Sequence, residues 1–170
     1  MNPDPNDKKQ RPWINKIKDT GSCYRLLLQH YINWYEAKAF CDELDAELLV
    51  IDNAVEHEVV KDILWEVNYT QAQNQYFFTD LFRVNDYYTD WKCNCHLYQT
   101  RYNESLHEIG YEPWAEDKTS LNESQWYDAA VVVRTRDGLL DEKIVDRSYG
   151  WRWIRYKPFC EKRRLLRPFY

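Results

Sequence analysis

The residues whose types best suit binding chemistry are tryptophans and arginines in the C-terminal half of the chain. These two residue types dominate protein-binding hot spots, where a large ring or a planar guanidinium is desolvated against a partner. The candidates are Trp114, Trp126, Trp151, Arg152, Trp153 and Arg155. This group predicts a recognition surface. The alternative is that Trp151 and Trp153 pack into the core while Arg152 points outward.

Two cysteines and a histidine at residues 93–96 are a second candidate, since their side chains are metal ligands. A structural zinc site usually has C-x₂₋₄-C spacing and a second ligand pair elsewhere in the chain. Here one residue separates Cys93 from Cys95, and the other three histidines show no paired spacing. This favours an interpretation as one disulfide half with ordinary loop residues, and we predict no metal.

Motifs of enzymes are missing from the sequence. It contains no G-x-S-x-G, no H-E-x-x-H and no glycine-rich phosphate loop. An acidic series could supply a carboxylate pair: Glu104, Glu108, Glu112, Glu116 and Asp117. Such a pair needs a defined cleft, and a solvated loop is the favoured interpretation. We therefore predict a protein that is not an enzyme and has no cofactor.

The element that must position the rest runs from Asn33 to Ile51. Asn33 is a good N-cap, and Glu36 three residues later completes a capping-box pattern. The apolar residues recur at helical spacing: Ala37, Phe40, Cys41 and Leu44. Leu48–Ile51 then turns continuously apolar, which is typical of a buried strand. This stretch predicts one helix followed directly by one strand.

Further elements follow in order. Asn53 and Glu56 repeat the capping pattern and predict a second helix that ends near Asn68. Strands are predicted over residues 23–29, 76–82, 129–134 and 151–156, with a last one from Phe159, and residues 139–145 are either another strand or a loop edge. Residues 83–128 show little periodicity but many aromatics, which indicates a long, structured loop region, since disordered segments are poor in aromatics.

Composition limits the class of protein. A chain of 170 residues favours a single domain, and its net charge of −5 argues against general nucleic-acid binding. Sequons at Asn68, Asn103 and Asn122 and the five cysteines favour a secreted glycoprotein. Residues 1–12 are polar and carry no signal-peptide core. We expect a trimmed extracellular segment; the alternative is a cytosolic protein.

Several motifs in one order resemble the C-type lectin-like domain family. They are the Trp-x-Glu-Ala-x₃-Cys of residues 34–41, the glutamate-bearing second helix, the aromatic strand 76–82 and the Pro-Phe-Cys-Glu-Lys of residues 158–162. The match is good over residues 22–81 and 149–163. The resemblance implies an α+β fold, with two helices flanking a small, mostly antiparallel sheet and a large irregular loop region that binds the ligand.

The resemblance also implies domain limits and disulfides. The domain would span residues 21–163, with its long-loop insertion at about 83–128 and flexible tails at 1–20 and 164–170. Cys41 would bond Cys160. The family's second disulfide has no cysteines here, since its positions fall near Ala129 and Trp153 or Ile154.

One more bond and one unpaired thiol are expected from the remaining cysteines. Cys23 has lost the local partner that the family carries about a dozen residues upstream. We expect it to bond Cys93 or Cys95. The thiol left over would be available for a disulfide-linked dimer.

Sugar-binding members of the family hold a Ca²⁺ through Glu-Pro-Asn or Gln-Pro-Asp and a Trp-Asn-Asp on the next strand. The corresponding residues here are Glu-Pro-Trp at 112–114, or Asp-Lys-Thr at 117–119, and Trp-Arg-Trp at 151–153. Ca²⁺ requires six to eight oxygen ligands, and several are replaced. We therefore predict no metal, and we keep Glu112 and Asp117 among the candidate ligand-binding residues.

These observations predict an extracellular or secreted, calcium-independent recognition module of receptor, adhesion or immune type that binds a protein ligand through its long-loop surface. Two alternatives stay open. One is a lectin that binds glycans without metal, and the other is a structural or matrix protein that assembles through the free cysteine. Nucleic acid is not an expected partner. Contact with a membrane is expected only through segments absent from this chain.

Overall fold

The computed structural model describes residues 13–29, 31–71, 75–83, 98–102, 104–117, 128–145 and 150–163. The helices are α1 (Ile17–Thr20), α2 (Trp34–Glu43), α3 (Ala54–Gln71) and α4 (Leu106–Ile109). The strands are β1 (Ile14–Lys16), β2 (Ser22–Leu26), β3 (Glu47–Leu48), β4 (Tyr76–Arg83), β5 (Asp128–Arg134), β6 (Leu140–Val145) and β7 (Lys157–Arg163). A 3-10 turn covers Trp151–Trp153.

The seven strands form one sheet in the order β1-β2-β7-β4-β5-β6, and β3 pairs with β7. All pairings are antiparallel except that of β4 with β7, where Phe77 lies opposite Lys157. The predicted α+β fold with two main helices and a mostly antiparallel sheet is confirmed. The last strand lies in the middle of the sheet, so residues near both ends of the chain are needed to complete it.

Helix α2 begins with the predicted capping box and is tied to the sheet by the predicted disulfide. The Asn33 side chain accepts a hydrogen bond from the Glu36 amide at 2.9 Å, and Glu36 accepts one from the Asn33 amide. Ala37 and Cys41 face the core. The predicted disulfide between Cys41 and Cys160 is confirmed, and it ties α2 to the central strand β7 across 119 residues of sequence.

The sheet has two faces, each with its own apolar core. We call the first the α3 face; its buried residues include Tyr24, Val60, Leu64, Phe77, Val131 and Phe159. We call the second the α2 face; its buried residues include Trp34, Ala37, Phe78, Ala130, Val132 and Cys160. Alternate residues of β4 and β5 point to opposite faces, which is the period-two pattern of a strand covered on both sides.

Three local predictions need correction. Residues 151–156 were predicted as a strand, but they form the 3-10 turn and a short connection, and β7 begins only at Lys157. The N-terminal tail predicted to residue 20 is shorter, since β1 pairs with β2 and α1 follows it. Helix α3 runs to Gln71, one turn beyond the predicted end. The register of β4 with β5 shifts between Phe78 and Phe82.

Candidate recognition surface

The 3-10 turn separates its two tryptophans. Trp151 lies half-buried on the α2 face, where its ring centroid is 6.2 Å from that of Trp34 and 6.3 Å from that of Tyr35. Its Nε1 donates a hydrogen bond of 3.3 Å to Asp128. Trp153 is 69% exposed. One ring therefore anchors the turn, and the other faces solvent.

A backbone bridge brings the start of α2 beside this turn. Ile32 and Tyr156 exchange two backbone hydrogen bonds of 2.8 and 2.9 Å. As a result Tyr31, whose side chain is 59% exposed, lies next to Lys157. The Lys157 Nζ is 4.9 Å from the Tyr31 ring centroid and donates a hydrogen bond to the Gln75 side chain.

Further rings extend the surface across the sheet. Tyr156 packs edge-on against Tyr76, with 5.4 Å between the ring centroids. The Nζ of Lys143 lies 4.0 Å from the Tyr76 ring centroid. We define the aromatic face by its six rings: Tyr31, Tyr35, Tyr76, Trp151, Trp153 and Tyr156. Its cations are Lys143, Arg152, Arg155 and Lys157.

Two of these cations differ from the other arginines of the described residues. Arg152 and Arg155 are exposed, and neither has a carboxylate within ion-pair distance in the described part of the chain. The other arginines meet a carboxylate or a ring: Arg25 with Trp13 and Phe40, Arg83 with Glu142, Arg101 with Asp42, Arg134 with Asp117, Arg136 with Asp117, and Arg163 with Asp52. The charges of Arg152 and Arg155 are thus available to a partner.

Trp114, predicted to belong with Trp151, lies on the opposite side of the sheet. Its ring packs against the α3 face, with its centroid 4.7 Å from that of Tyr98. On either side of it, the Ala115 amide donates to the Leu140 carbonyl at 2.8 Å, and the Leu140 amide donates to the Pro113 carbonyl at 2.9 Å. Trp114 therefore anchors its loop segment to the edge of β6.

The two acidic candidates also lie in that segment. Glu112 is exposed. Asp117 accepts hydrogen bonds from Arg134 at 2.8 Å and from Arg136 at 3.2 Å. The Arg134 guanidinium holds the pKa of the Asp117 carboxyl below its usual value. Both oxygens of Asp117 are thus already engaged by cations of the chain itself.

The remaining predicted residues are placed as follows. Trp126, Cys93, Cys95, Asn103 and Asn122 lie outside the described residues, and Asn68 lies within α3. Across the described ranges, no group of three or more His, Cys, Asp or Glu side chains is arranged to hold a metal ion. Nor does any helix in those ranges have the length and apolar character needed to cross a membrane.

Cys23 is buried and free among the described cysteines. On β2 it lies between Asn15 of β1 and Lys162 of β7. Cys93 and Cys95, either of which is predicted to bond it, lie outside the described residues, so this pairing stays a prediction.

Sequence reasoning missed most of the aromatic face. It identified the residues of the 3-10 turn but not Tyr31, Tyr35, Tyr76, Tyr156, Lys143 and Lys157. Tyr35 could have been found, because it lies off the apolar stripe that Ala37 and Cys41 form on α2. The others come together through the pairing of Ile32 with Tyr156, which local patterns do not reveal.

Comparisons with known proteins agree on one fold. The model of the Lectin C-type domain family matches residues 30–144, more than half of the chain. Among solved structures, the carbohydrate-recognition domain of the mouse scavenger receptor C-type lectin is 17% identical, with 92% of this chain and 97% of that chain covered and a TM-score of 0.59. The C-type lectin CEL-I from Cucumaria echinata is 15% identical, with coverages of 94% and 97% and a TM-score of 0.59.

A third similar structure is a complex of the protein SPL-1 with GlcNAc, 14% identical, with coverages of 84% and 88% and a TM-score of 0.54. At these identities the structural likeness establishes the fold alone. No curated protein sequence matches the chain at a significant level.

Proposed function

The chain belongs to the C-type lectin domain family, and from this we propose that it is a calcium-independent recognition module that binds a protein ligand through the aromatic face. Domains of this family are generally recognition modules without enzymatic activity, and they are typically extracellular. The observation that carries the proposal is Trp153, 69% exposed between Arg152 and Arg155, two arginines without ionic partners in the described residues.

The composition of the aromatic face supports a protein ligand. Tryptophan, tyrosine and arginine are the residue types enriched at binding hot spots. Tyr35 is 58% exposed beside Trp151, and Tyr31 is exposed beside Lys157. Rings that are held at one edge and open at the other lose little conformational freedom when they are covered, so their burial by a partner is favourable.

Three observations argue against a family-type calcium site. The Trp114 ring, which replaces a ligating amide, is packed against Tyr98. The carboxylate of Asp117 is bound by two guanidinium groups. Arg152 stands where the family's strand motif carries an oxygen ligand, and a guanidinium repels a cation. The residues in the described part of the chain therefore do not fit Ca²⁺, which needs six to eight oxygens.

The disulfide bears on where the protein is located. The Cys41–Cys160 disulfide is typical of proteins from oxidising compartments. We propose an extracellular or secreted protein, glycosylated at Asn68, Asn103 or Asn122. Because Cys23 is buried, its thiol is poorly placed to form a disulfide between two copies of the chain.

The test is a binding screen of the immobilised domain against a panel of purified extracellular protein domains, in millimolar Ca²⁺ and in EDTA. We expect a protein hit whose affinity is equal in both buffers and falls about tenfold or more in Trp153→Ala, as for a hot-spot ring. Trp65→Ala is the matched control, because Trp65 is 66% exposed on α3, away from the aromatic face. A hit lost in EDTA, or equally weakened by both variants, would overturn the proposal.

A glycan ligand is the second candidate. The exposed rings of Tyr35 and Trp153 could stack on the apolar face of a sugar without any metal. A glycan array probed in EDTA separates the two functions. Binding to one glycan class that is lost in Trp153→Ala, with no protein hit, would replace the protein ligand by a glycan.

A further inference from the structure

We propose that the ligand of the aromatic face is an acidic protein segment, whose aspartate and glutamate side chains bind Arg152 and Arg155 while its backbone and apolar atoms cover Trp153. This inference rests on the proposed function and names the chemistry of the partner.

Two lysines of the aromatic face lie over tyrosine rings, and one of them, Lys157, does so without a carboxylate partner in the described residues. Lys157 is 3% exposed, lies over the Tyr31 ring and donates to Gln75, and no carboxylate lies within ion-pair distance of it in the described residues. Lys143 lies over the Tyr76 ring. A ring stabilises a cation without neutralising its charge, so the positive potential of these groups extends to the surface.

The acids near this face are already engaged. Asp128 accepts a hydrogen bond from Trp151. Asp141 lies 3.9 Å from Lys143 and 4.0 Å from Arg134. Glu36 accepts the Asn33 amide in the capping box. Of the four cations only Lys143 has a carboxylate nearby, and it shares that carboxylate with Arg134; Lys157, Arg152 and Arg155 have none in the described residues. The net charge of the chain is −5. The positive face is a local exception, and it would attract an acidic surface.

The two arginines flank the exposed ring in sequence. Arg152 directly precedes Trp153 in the 3-10 turn, and Arg155 follows Trp153 by two residues, beyond the end of the turn. A guanidinium binds a carboxylate through two parallel hydrogen bonds, which fixes the orientation of the partner. A ring between two such groups suits a segment that combines carboxylates with apolar atoms.

The experiment is a selection of random dodecapeptides displayed on phage against the immobilised, disulfide-intact domain. Enriched peptides are synthesised, and their affinities are measured by fluorescence anisotropy for the wild type and for Arg152→Glu, Arg155→Glu and Trp153→Ala. Lys18→Glu on α1 is the control for charge, because Lys18 is exposed and lies away from the aromatic face. Trp65→Ala is the control for an exposed ring.

We expect enriched peptides with a negative net charge and several aspartates or glutamates. Their affinity should fall about tenfold or more in Arg152→Glu and in Arg155→Glu, change by less than about twofold in Lys18→Glu, and weaken as salt rises.

Other outcomes contradict the inference in distinguishable ways. Neutral or basic peptides that depend on Trp153 but not on Arg152 would overturn the acidic partner and leave protein recognition intact. Peptides that are indifferent to Trp153 would overturn the proposed function itself. A heparin oligosaccharide that binds more tightly than every peptide, and does so through Arg152, would show that the anionic ligand is a glycan.

Discussion

The buried ion pairs of the α3 face and the cations of the aromatic face have different neighbours. On the α3 face, the guanidinium of Arg83 meets Glu142 at 3.5 Å, and that of Arg163 meets Glu161 at 3.1 Å. On the aromatic face, Lys157 lies over a tyrosine ring, and Lys143 lies over a ring and 3.9 Å from Asp141. The cations of the α3-face pairs are therefore buried with their counter-charges, whereas Lys157, Arg152 and Arg155 of the aromatic face have no carboxylate within ion-pair distance in the described residues.

This difference separates charges that hold the fold from charges that can serve a ligand. A buried ion pair that loses one member leaves an uncompensated charge, which is strongly unfavourable. A cation that lies over a ring has no buried counter-charge that its removal would leave uncompensated. Substitutions on the α3 face should therefore change stability, and substitutions on the aromatic face should change binding.

The largest effect is expected for Arg83→Met. Arg83 and Glu142 are both almost fully buried, and the Tyr98 hydroxyl also donates to Glu142. Removing the guanidinium leaves the Glu142 carboxylate buried without its cation, so the free energy of unfolding should fall by about 3–5 kcal/mol. Urea denaturation measures it.

The control for this prediction is the double variant Arg83→Met with Glu142→Leu, which removes both charges. It should recover most of the lost stability, because well-packed apolar residues often replace a buried pair at little cost. A double variant less stable than the single one would show that the charges do not act as a pair.

The acid cluster on the α3 face predicts a dependence on pH. Glu56 is buried beside Glu161, accepts a hydrogen bond from the Tyr24 hydroxyl at 3.1 Å, and shares Arg163 with Asp52. Burial, and then the neighbouring Glu161, raise the pKa of Glu56 well above its ordinary value of 4.5. The folded state therefore binds a proton that the unfolded state releases, and stability should decline as pH rises above about 4.5.

Glu56→Gln removes the titrating carboxyl, so the decline of stability with rising pH should become less steep. The free energy of unfolding of the variant relative to the wild type should rise by about 1–2 kcal/mol from mildly acidic to mildly alkaline pH. Thermal and urea unfolding across that range measure the difference. Glu58→Gln, on the exposed side of the same helix, is the control. Parallel profiles for wild type and Glu56→Gln would show that Glu56 is ionised at neutral pH.

The two main helices, the disulfide and the buried charges were predictable to different degrees. Both helix starts follow from local capping patterns, since Asn33 accepts from the Glu36 amide and Asn53 from the Glu56 amide. The Cys41–Cys160 bond was available only through the family resemblance. The buried pair of Arg83 with Glu142 was not predicted, because β4 and β6 are far apart in sequence.

The aromatic face was predicted only in part, because some of its residues meet through tertiary contacts. The types of residues 151–155 indicated a binding site, but their alternation of ring and charge was misinterpreted as a strand. Gly150, at a φ of +71°, adopts a backbone conformation that only glycine takes readily, and the chain then enters the 3-10 turn. The pairing of Ile32 with Tyr156, which adds Tyr31, is a tertiary contact with no local signal.

A smaller effect on stability is expected for Lys157→Met, a substitution on the aromatic face. Lys157 is as buried as Arg83 but has a ring and an amide as neighbours. Burial lowers the pKa of Lys157, so its charged form is disfavoured in the folded state. The free energy of unfolding should change by less than about 1 kcal/mol or rise. A loss as large as that of Arg83→Met would remove the distinction between the two faces.

The smallest effect on stability is expected for Trp153→Ala. Its ring is 69% exposed, so truncation removes little buried apolar surface, and the free energy of unfolding should change by less than about 0.5 kcal/mol. The matched substitution Trp34→Ala removes a ring that is 7% exposed and donates a hydrogen bond of 3.1 Å to the Thr79 carbonyl, and it should lower stability by about 3–5 kcal/mol. Urea denaturation of both variants, with Trp65→Ala alongside, measures the contrast. A destabilisation by Trp153→Ala close to that of Trp34→Ala would mean that the exposed ring supports the fold. The assignment of Trp153 to ligand binding would then lose its basis.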